Sequence, residues 1–277
     1  KKEMKGEVQM RMKLSCFGTL KDINAIATAG YDCAELQIKE IVELSEDEFR
    51  AAVKKVRSSG ITLEVFDNPV PLNISITSPD FDLKYWTEYL KKGALRTAEL
   101  GARYYVFGNG RSRSLPVEGD VEGAREKLLD FLNILCEVTA EHNITVLLEP
   151  LATSLSNFIN SIPEAVEFIE KFGRYNLKTM CDLRYLFPMN RDVEDIATYE
   201  KYIKHIHVDN PLSTFPQRFI PTLEDGFDYG PFIEVLKRIC YKEIISIEAN
   251  NYQDYPEEIK NGLKFFAHFG IVPYRSS

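Results

Sequence analysis

Four short runs of this sequence, each rich in apolar or β-branched residues, close on a side chain able to hold a metal ion. They are Val146-Leu147-Leu148-Glu149, Thr179-Met180-Cys181-Asp182, His205-Ile206-His207-Val208-Asp209 and Ile244-Ile245-Ser246-Ile247-Glu248. Each is followed by a segment with helical spacing, so each reads as a strand that feeds a helix. Glu149, Asp182, His207 and Glu248 form an oxygen-rich donor set suited to Mn²⁺ or Mg²⁺, with Co²⁺ or Zn²⁺ as alternatives. A structural zinc site would prefer thiolates. Four protein donors on a six-coordinate ion leave two positions, enough to chelate a carbonyl and its neighbouring hydroxyl. A single carboxylate at a strand end is ordinarily a helix cap or an ion-pair partner; the recurrence on four consecutive runs carries the metal reading.

The elements that would position these donors alternate along the chain. Strands are expected at Lys13–Phe17, Cys33–Leu36, Thr62–Phe66, Tyr104–Phe107, Thr145–Glu149, Lys178–Asp182, His205–Val208 and Ile244–Glu248. Helices are expected at Leu20–Ala29, Glu46–Ser58, Tyr85–Leu100, Val121–Glu141, Pro163–Phe172, Val193–Tyr202, Tyr229–Ile239 and Pro256–Phe269, with start signals in Ser161-Ile162-Pro163 and Asp254-Tyr255-Pro256. Strict alternation requires a parallel sheet with right-handed crossovers, and eight units favour a single (β/α)8 TIM barrel of the α/β class over an open doubly wound sheet. Gly108-Asn109-Gly110 lacks the spacing of a dinucleotide loop, and no P-loop occurs. The barrel is expected over residues 12–277, behind a tail at 1–11. The long connections Asn68–Phe81, Asn109–Gly119 and Asn210–Asp228 would then all rise at the mouth to which the strand ends point.

The composition excludes several classes. With 277 residues, 44% hydrophobic and 27% charged, the chain is an ordinary globular one, and a net charge of −8 argues against nucleic acid as a partner. Five widely spaced cysteines, with no CxxC pair, indicate neither a disulfide framework nor a zinc ribbon, so a reducing, cytoplasmic setting is expected. No apolar run reaches the roughly 20 residues of a membrane helix, and Lys1–Met12 is polar and charged, unlike an export signal.

Several motifs together resemble the sugar phosphate isomerase/epimerase superfamily of xylose isomerase-like barrels. They are Leu148-Glu149-Pro150, Cys181-Asp182, His205-Ile206-His207, Arg218-Phe219-Ile220-Pro221 with Gly226-Phe227-Asp228-Tyr229, and Ser246-Ile247-Glu248. The resemblance implies one divalent ion, Mn²⁺ foremost, held by Glu149, Asp182, His207 and Glu248. It also implies substrate contacts from Arg218 and from Glu35, which ends strand two; Tyr185 and Asn109 are added as substrate-binding residues. Two departures fall on substrate-handling positions. Where family epimerases carry Asp-x-x-His, Tyr185 stands three residues after Asp182, and Leu155 stands where a second glutamate often follows the first.

The chemistry expected is proton abstraction α to a metal-bound carbonyl through an enediolate, with Glu149 and Glu248 as the catalytic pair, on a ketose or polyol ketone. Water exclusion would restore basicity to a carboxylate that also holds metal, and Phe187, Phe215 and Phe219 are candidates for the wall. His205 is expected to face away from His207 as a packed or hydrogen-bonded residue. The alternatives are an inosose-type dehydratase using the same metal site, or an inactive sugar-binding barrel. A nuclease with a three-metal cluster would need more than the four histidines present, and His142 and His268 fall in helical segments. No phosphate-binding loop follows strands seven and eight, which favours unphosphorylated substrates. Oligomeric state stays open: Phe265-Phe266 and Ile271-Val272-Pro273-Tyr274 would either pack a dimer or close the barrel.

Overall fold

The computed structural model describes residues 9–186 and 192–275. Eight parallel strands close into a barrel in chain order: β1 (Lys13–Phe17), β2 (Cys33–Gln37), β3 (Thr62–Asp67), β4 (Tyr104–Phe107), β5 (Thr145–Leu148), β6 (Leu177–Asp182), β7 (Ile203–Val208) and β8 (Ile244–Ile247). All eight expected strands are present. The β8–β1 pairing that shuts the barrel aligns Ser246 with Ser15 and Ile247 with Cys16.

Long helices at Glu46–Ser59, Leu83–Leu100, Val121–Ala140, Ile162–Phe172 and Tyr255–His268 lie near their expected bounds. Ser161 and Asp254 are N-caps whose side chains accept from the backbone N–H groups of Glu164 and Glu257, each worth about 1 kcal/mol. The helix expected over Val193–Tyr202 is cut to Glu194–Thr198. The chain must unwind there because the Tyr202 carbonyl already serves the sheet, accepting from Thr179 N at 3.0 Å. His268 ends its helix and His142 lies in the turn after Val121–Ala140.

Most of the apolar core lies between strands and helices, and Phe265 and Phe266 are buried there. A smaller inner cluster, including Cys33, Val65, Tyr104, Leu147 and Met180, fills the barrel. Below it, Glu64 meets Lys13 at 2.6 Å and Arg103 at 3.1 Å. Met10–Arg11 pairs in parallel with Ile271–Val272 beside the barrel. No helix among the described residues is long and apolar enough to cross a membrane, and the five cysteines are free, four of them buried.

Candidate metal centre at the barrel mouth

Side chains alternate across a strand, so the residues two before and two after an inward-facing one also face inward. On β7 this puts His205, His207 and Asp209 on the barrel side. Glu35 stands opposite on β2, fully buried, its Oε2 3.1 Å from Nε2 of His205 and its Oε1 2.9 Å from Nε2 of His207. The expectation that His205 faces away from His207 is therefore corrected: a spacing of two shares a face, and the two rings are 4.7 Å apart. His205 is nonetheless hydrogen-bonded and buried.

The four proposed donors converge. Nδ1 of His207 lies 2.9 Å from Oε2 of Glu248 and 3.8 Å from Oε1 of Glu149, and one oxygen each of Glu149 and Asp182 groups with a His207 nitrogen closely enough to hold an ion. Oε1 of Glu149, Nδ1 of His207 and Oε2 of Glu248 are buried without an aligned hydrogen bond. Buried polar atoms are seldom left this way, and three converging on one point, on oxygen and imidazole donors, fit a divalent cation.

Glu149 reaches this point because the residue beside it is glycine. A Cβ on Gly108 would stand 2.0 Å from Oε2 of Glu149, well inside contact distance. Beneath it, the buried Arg113 guanidinium donates to the carbonyls of Phe107, at 2.8 Å, and of Glu149, tying the ends of β4 and β5 together.

Arg218 supplies the nearest cation. It donates to Asp182 Oδ2 at 2.9 Å and to the Tyr185 hydroxyl at 2.9 Å, and its Nη1 lies 2.8 Å from Glu248 Oε2. Asn250 fixes the Arg218 backbone, accepting from its N–H at 2.9 Å while donating to the Pro216 carbonyl at 2.9 Å. Arg184 holds the same loop from the short helix that follows β6, donating to Asp209 at 2.8 Å through Nε and to the Ser213 carbonyl at 2.8 Å.

Burial against this crowd of charge moves the proton affinities apart. Glu149 is pushed up to about 7 by desolvation, which outweighs the opposing pull of His207 and is reinforced by Asp182 and Glu248. Glu248 stays below the ordinary value, since Arg218 and His207 overcome its burial. Burial pulls the His207 imidazole down, but Glu35 and Glu248 outweigh it and raise it well above its usual value. The Tyr185 phenol is raised by burial and remains a neutral donor.

A cleft of about 440 Å³ opens above these groups and is lined by Glu149, Tyr185, Arg218, Glu248, Asn109 and Leu155, among others. A more open depression of about 540 Å³ over Phe49, Arg50 and Arg57 lies on the outer helical wall, where no set of buried donors converges. Of the named substrate residues, Tyr185 and Arg218 face the cleft. Asn109 lines it with its amide committed, donating to the Leu72 carbonyl at 3.0 Å and accepting from Arg111 N at 3.1 Å. Glu35 lies below the donor set and is engaged by the two imidazoles. Phe215 lines the cleft, Phe219 is 40% exposed, and Phe187 lies outside the described residues.

Asp67, Arg113 and Arg184 were not among the expected site residues. Asp67 had the same signal as the others, a carboxylate ending an apolar strand, but Asp67-Asn68-Pro69 reads as a turn. The two arginines act through contacts distant in sequence, which local pattern does not report.

The fold and the strand-end donors define a (β/α)8 barrel with a metal-competent mouth. The sequence matches the xylose isomerase-like TIM barrel family over residues 23–269, and the chain belongs to that family. Among solved structures, a D-psicose 3-epimerase in the presence of D-fructose is similar, with a TM-score of 0.77 and 17% identity over 93% of this chain and 99% of that one. A 3-keto-D-glucoside 4-epimerase from E. coli has a TM-score of 0.74 and 17% identity over 93% and 99%. A probable 3-DHS dehydratase from Bacillus anthracis has a TM-score of 0.70 and 16% identity over 92% and 99%. At these identities the likeness is one of fold. No curated protein matches the sequence.

Proposed function

We propose that this chain is a divalent-metal-dependent carbohydrate isomerase or epimerase, acting by proton transfer at the carbon beside a substrate carbonyl. The observation that carries this reading is the convergence of Glu149 Oε1, His207 Nδ1 and Glu248 Oε2, buried without an aligned hydrogen bond, on one point beneath the cleft. Glu149, Asp182, His207 and Glu248 would hold the ion, Mn²⁺ being the first expected. When bound, it would polarise the carbonyl and stabilise negative charge on oxygen.

The remaining work falls to side chains. Glu149 and Glu248 directly follow β5 and β8, three strands apart, and their proton affinities shift in opposite directions. A pair separated in this way suits one group to take a proton while the other returns one. Arg218 and Tyr185 would orient substrate oxygens, the tyrosine with its own O–H free to donate while its oxygen accepts from Arg218. The fold likeness to sugar epimerases agrees with this class. The four buried free cysteines fit a reducing cytoplasm.

Metal content by plasma mass spectrometry on wild type, Glu149→Gln and Glu248→Gln tests the centre. One ion per chain, lost in both variants, together with solvent deuterium entering a ketose, is the expected result. No stoichiometric ion after dialysis against Mn²⁺, Mg²⁺, Co²⁺ and Zn²⁺ would sink the reading. Product NMR separates the dehydratase alternative, because dehydration removes a hydroxyl and epimerisation keeps the mass.

A further inference from the structure

We propose that Asp67 and Asn68, at the end of β3, form a second subsite of the cleft that takes a neutral end of the substrate bearing adjacent hydroxyls and refuses a carboxylate or phosphate there. This rests on the carbohydrate reading above.

Both residues line the cleft and both are more than nine-tenths buried. Asp67 belongs, among the described residues, to no cluster of acidic, histidine or cysteine side chains close enough to hold the ion. Among the described residues no lysine, arginine or histidine pairs with Asp67. Its carboxyl is hydrogen-bonded, among the described residues, by its neighbour alone: Oδ1 accepts from Asn68 N at 2.9 Å, and Oδ2 from Asn68 Nδ2 at 2.6 Å. Each carboxyl oxygen therefore keeps accepting capacity.

Asn68 carries the second half of the argument. Its φ of 60° is left-handed, a region asparagine tolerates better than most residues, and this folds its amide back onto Asp67. With Nδ2 committed there, Oδ1 is buried in the cleft wall with no partner. An acceptor stripped of water and left unpaired is costly, and a ligand hydroxyl would relieve it. Two adjacent acceptors match two neighbouring hydroxyls. A carboxylate or a phosphate dianion brings no proton to donate to these acceptors, and it would add negative charge to a cleft whose wall already holds the carboxyls of Asp67, Glu149 and Glu248.

The test is calorimetric titration of the Mn²⁺-loaded protein with D-fructose, D-fructuronate and D-fructose 6-phosphate, which differ only at the far end from the carbonyl. Wild type is expected to bind fructose at least tenfold more tightly than either anion. Asn68→Ala should weaken fructose about tenfold, and Asp67→Asn should shrink the gap to fructuronate to threefold or less. Metal content and melting temperature are followed alongside, and Asn68→Ala, which keeps the carboxyl, provides the second variant if Asp67→Asn does not fold. Equal affinity for all three sugars, or a preference that the folded variants leave unchanged, overturns the subsite and leaves the carbohydrate reading standing. Failure of wild type to bind any of the three overturns both.

Discussion

Oε1 of Glu35 lies 2.9 Å from Nε2 of His207, and this contact decides which nitrogen of the ring faces the mouth. With the Nε2 proton given to the carboxylate, Nδ1 is the atom left for a cation. Partners of this kind, one step removed from a metal, typically contribute 10–100-fold in affinity. Glu35→Gln is therefore expected to weaken Mn²⁺ binding by about that factor, measured by competition with a fluorescent chelator. Unchanged affinity in a folded variant would show that the ring needs no such anchor.

Gly108→Ala tests how closely Glu149 is seated. The added methyl would meet Oε2 of Glu149 at 2.0 Å and Cγ1 of Val106 at 3.3 Å. The carboxylate is the part able to move, so the variant should fold while losing metal affinity by about tenfold or more, on the order of 1.4 kcal/mol. Full metal binding in Gly108→Ala would mean that Glu149 is not a ligand in the position described.

The strand-end design was legible because apolar runs, β-branched residues and abrupt polar ends are local signals, and they led to Glu149, Asp182, His207 and Glu248 together. What escaped depends on facing and on contacts across the barrel. The two-residue period places His205 beside His207 on the barrel side, where its partner Glu35 comes from a distant strand. Glu35 read as a pocket residue because nothing near it in sequence announces two imidazoles about 170 positions away, which now hold both its oxygens. Asp67 was lost one residue past an expected strand end, since its turn-forming neighbours masked the sheet.

The acidity of Glu149 gives the pH dependence of metal binding a sign. Its carboxyl is pushed up to about 7, so below that pH a cation must displace a proton to use it. Affinity should rise with pH by up to about tenfold per unit below 7 for this proton and flatten above it as far as Glu149 is concerned. The imidazole of His207, also raised, extends the rise upward. Titrations in buffers of different ionisation enthalpy should show proton release at pH 6 that diminishes by pH 8. Affinity independent of pH over that window would contradict the assignment of both donors.

Arg218 places a permanent positive charge against two of the four proposed donors, 2.9 Å from Asp182 and 2.8 Å from Glu248. Its guanidinium balances carboxylates that would otherwise face one another in a buried site, and removal of one partner from such a pair commonly costs about 3–5 kcal/mol. Metal-free Arg218→Ala should accordingly melt well below wild type. A divalent ion takes over the same compensation without competing with the guanidinium, so Mn²⁺ should bind the variant at least as tightly as wild type and raise its melting temperature by more. Turnover should still fall, by about 100-fold, since the side chain that would meet a developing negative oxygen is gone. Weaker Mn²⁺ binding in Arg218→Ala would point the other way: the arginine would then assemble the donor set, and its pairs with Asp182 and Glu248 would persist when the ion is bound.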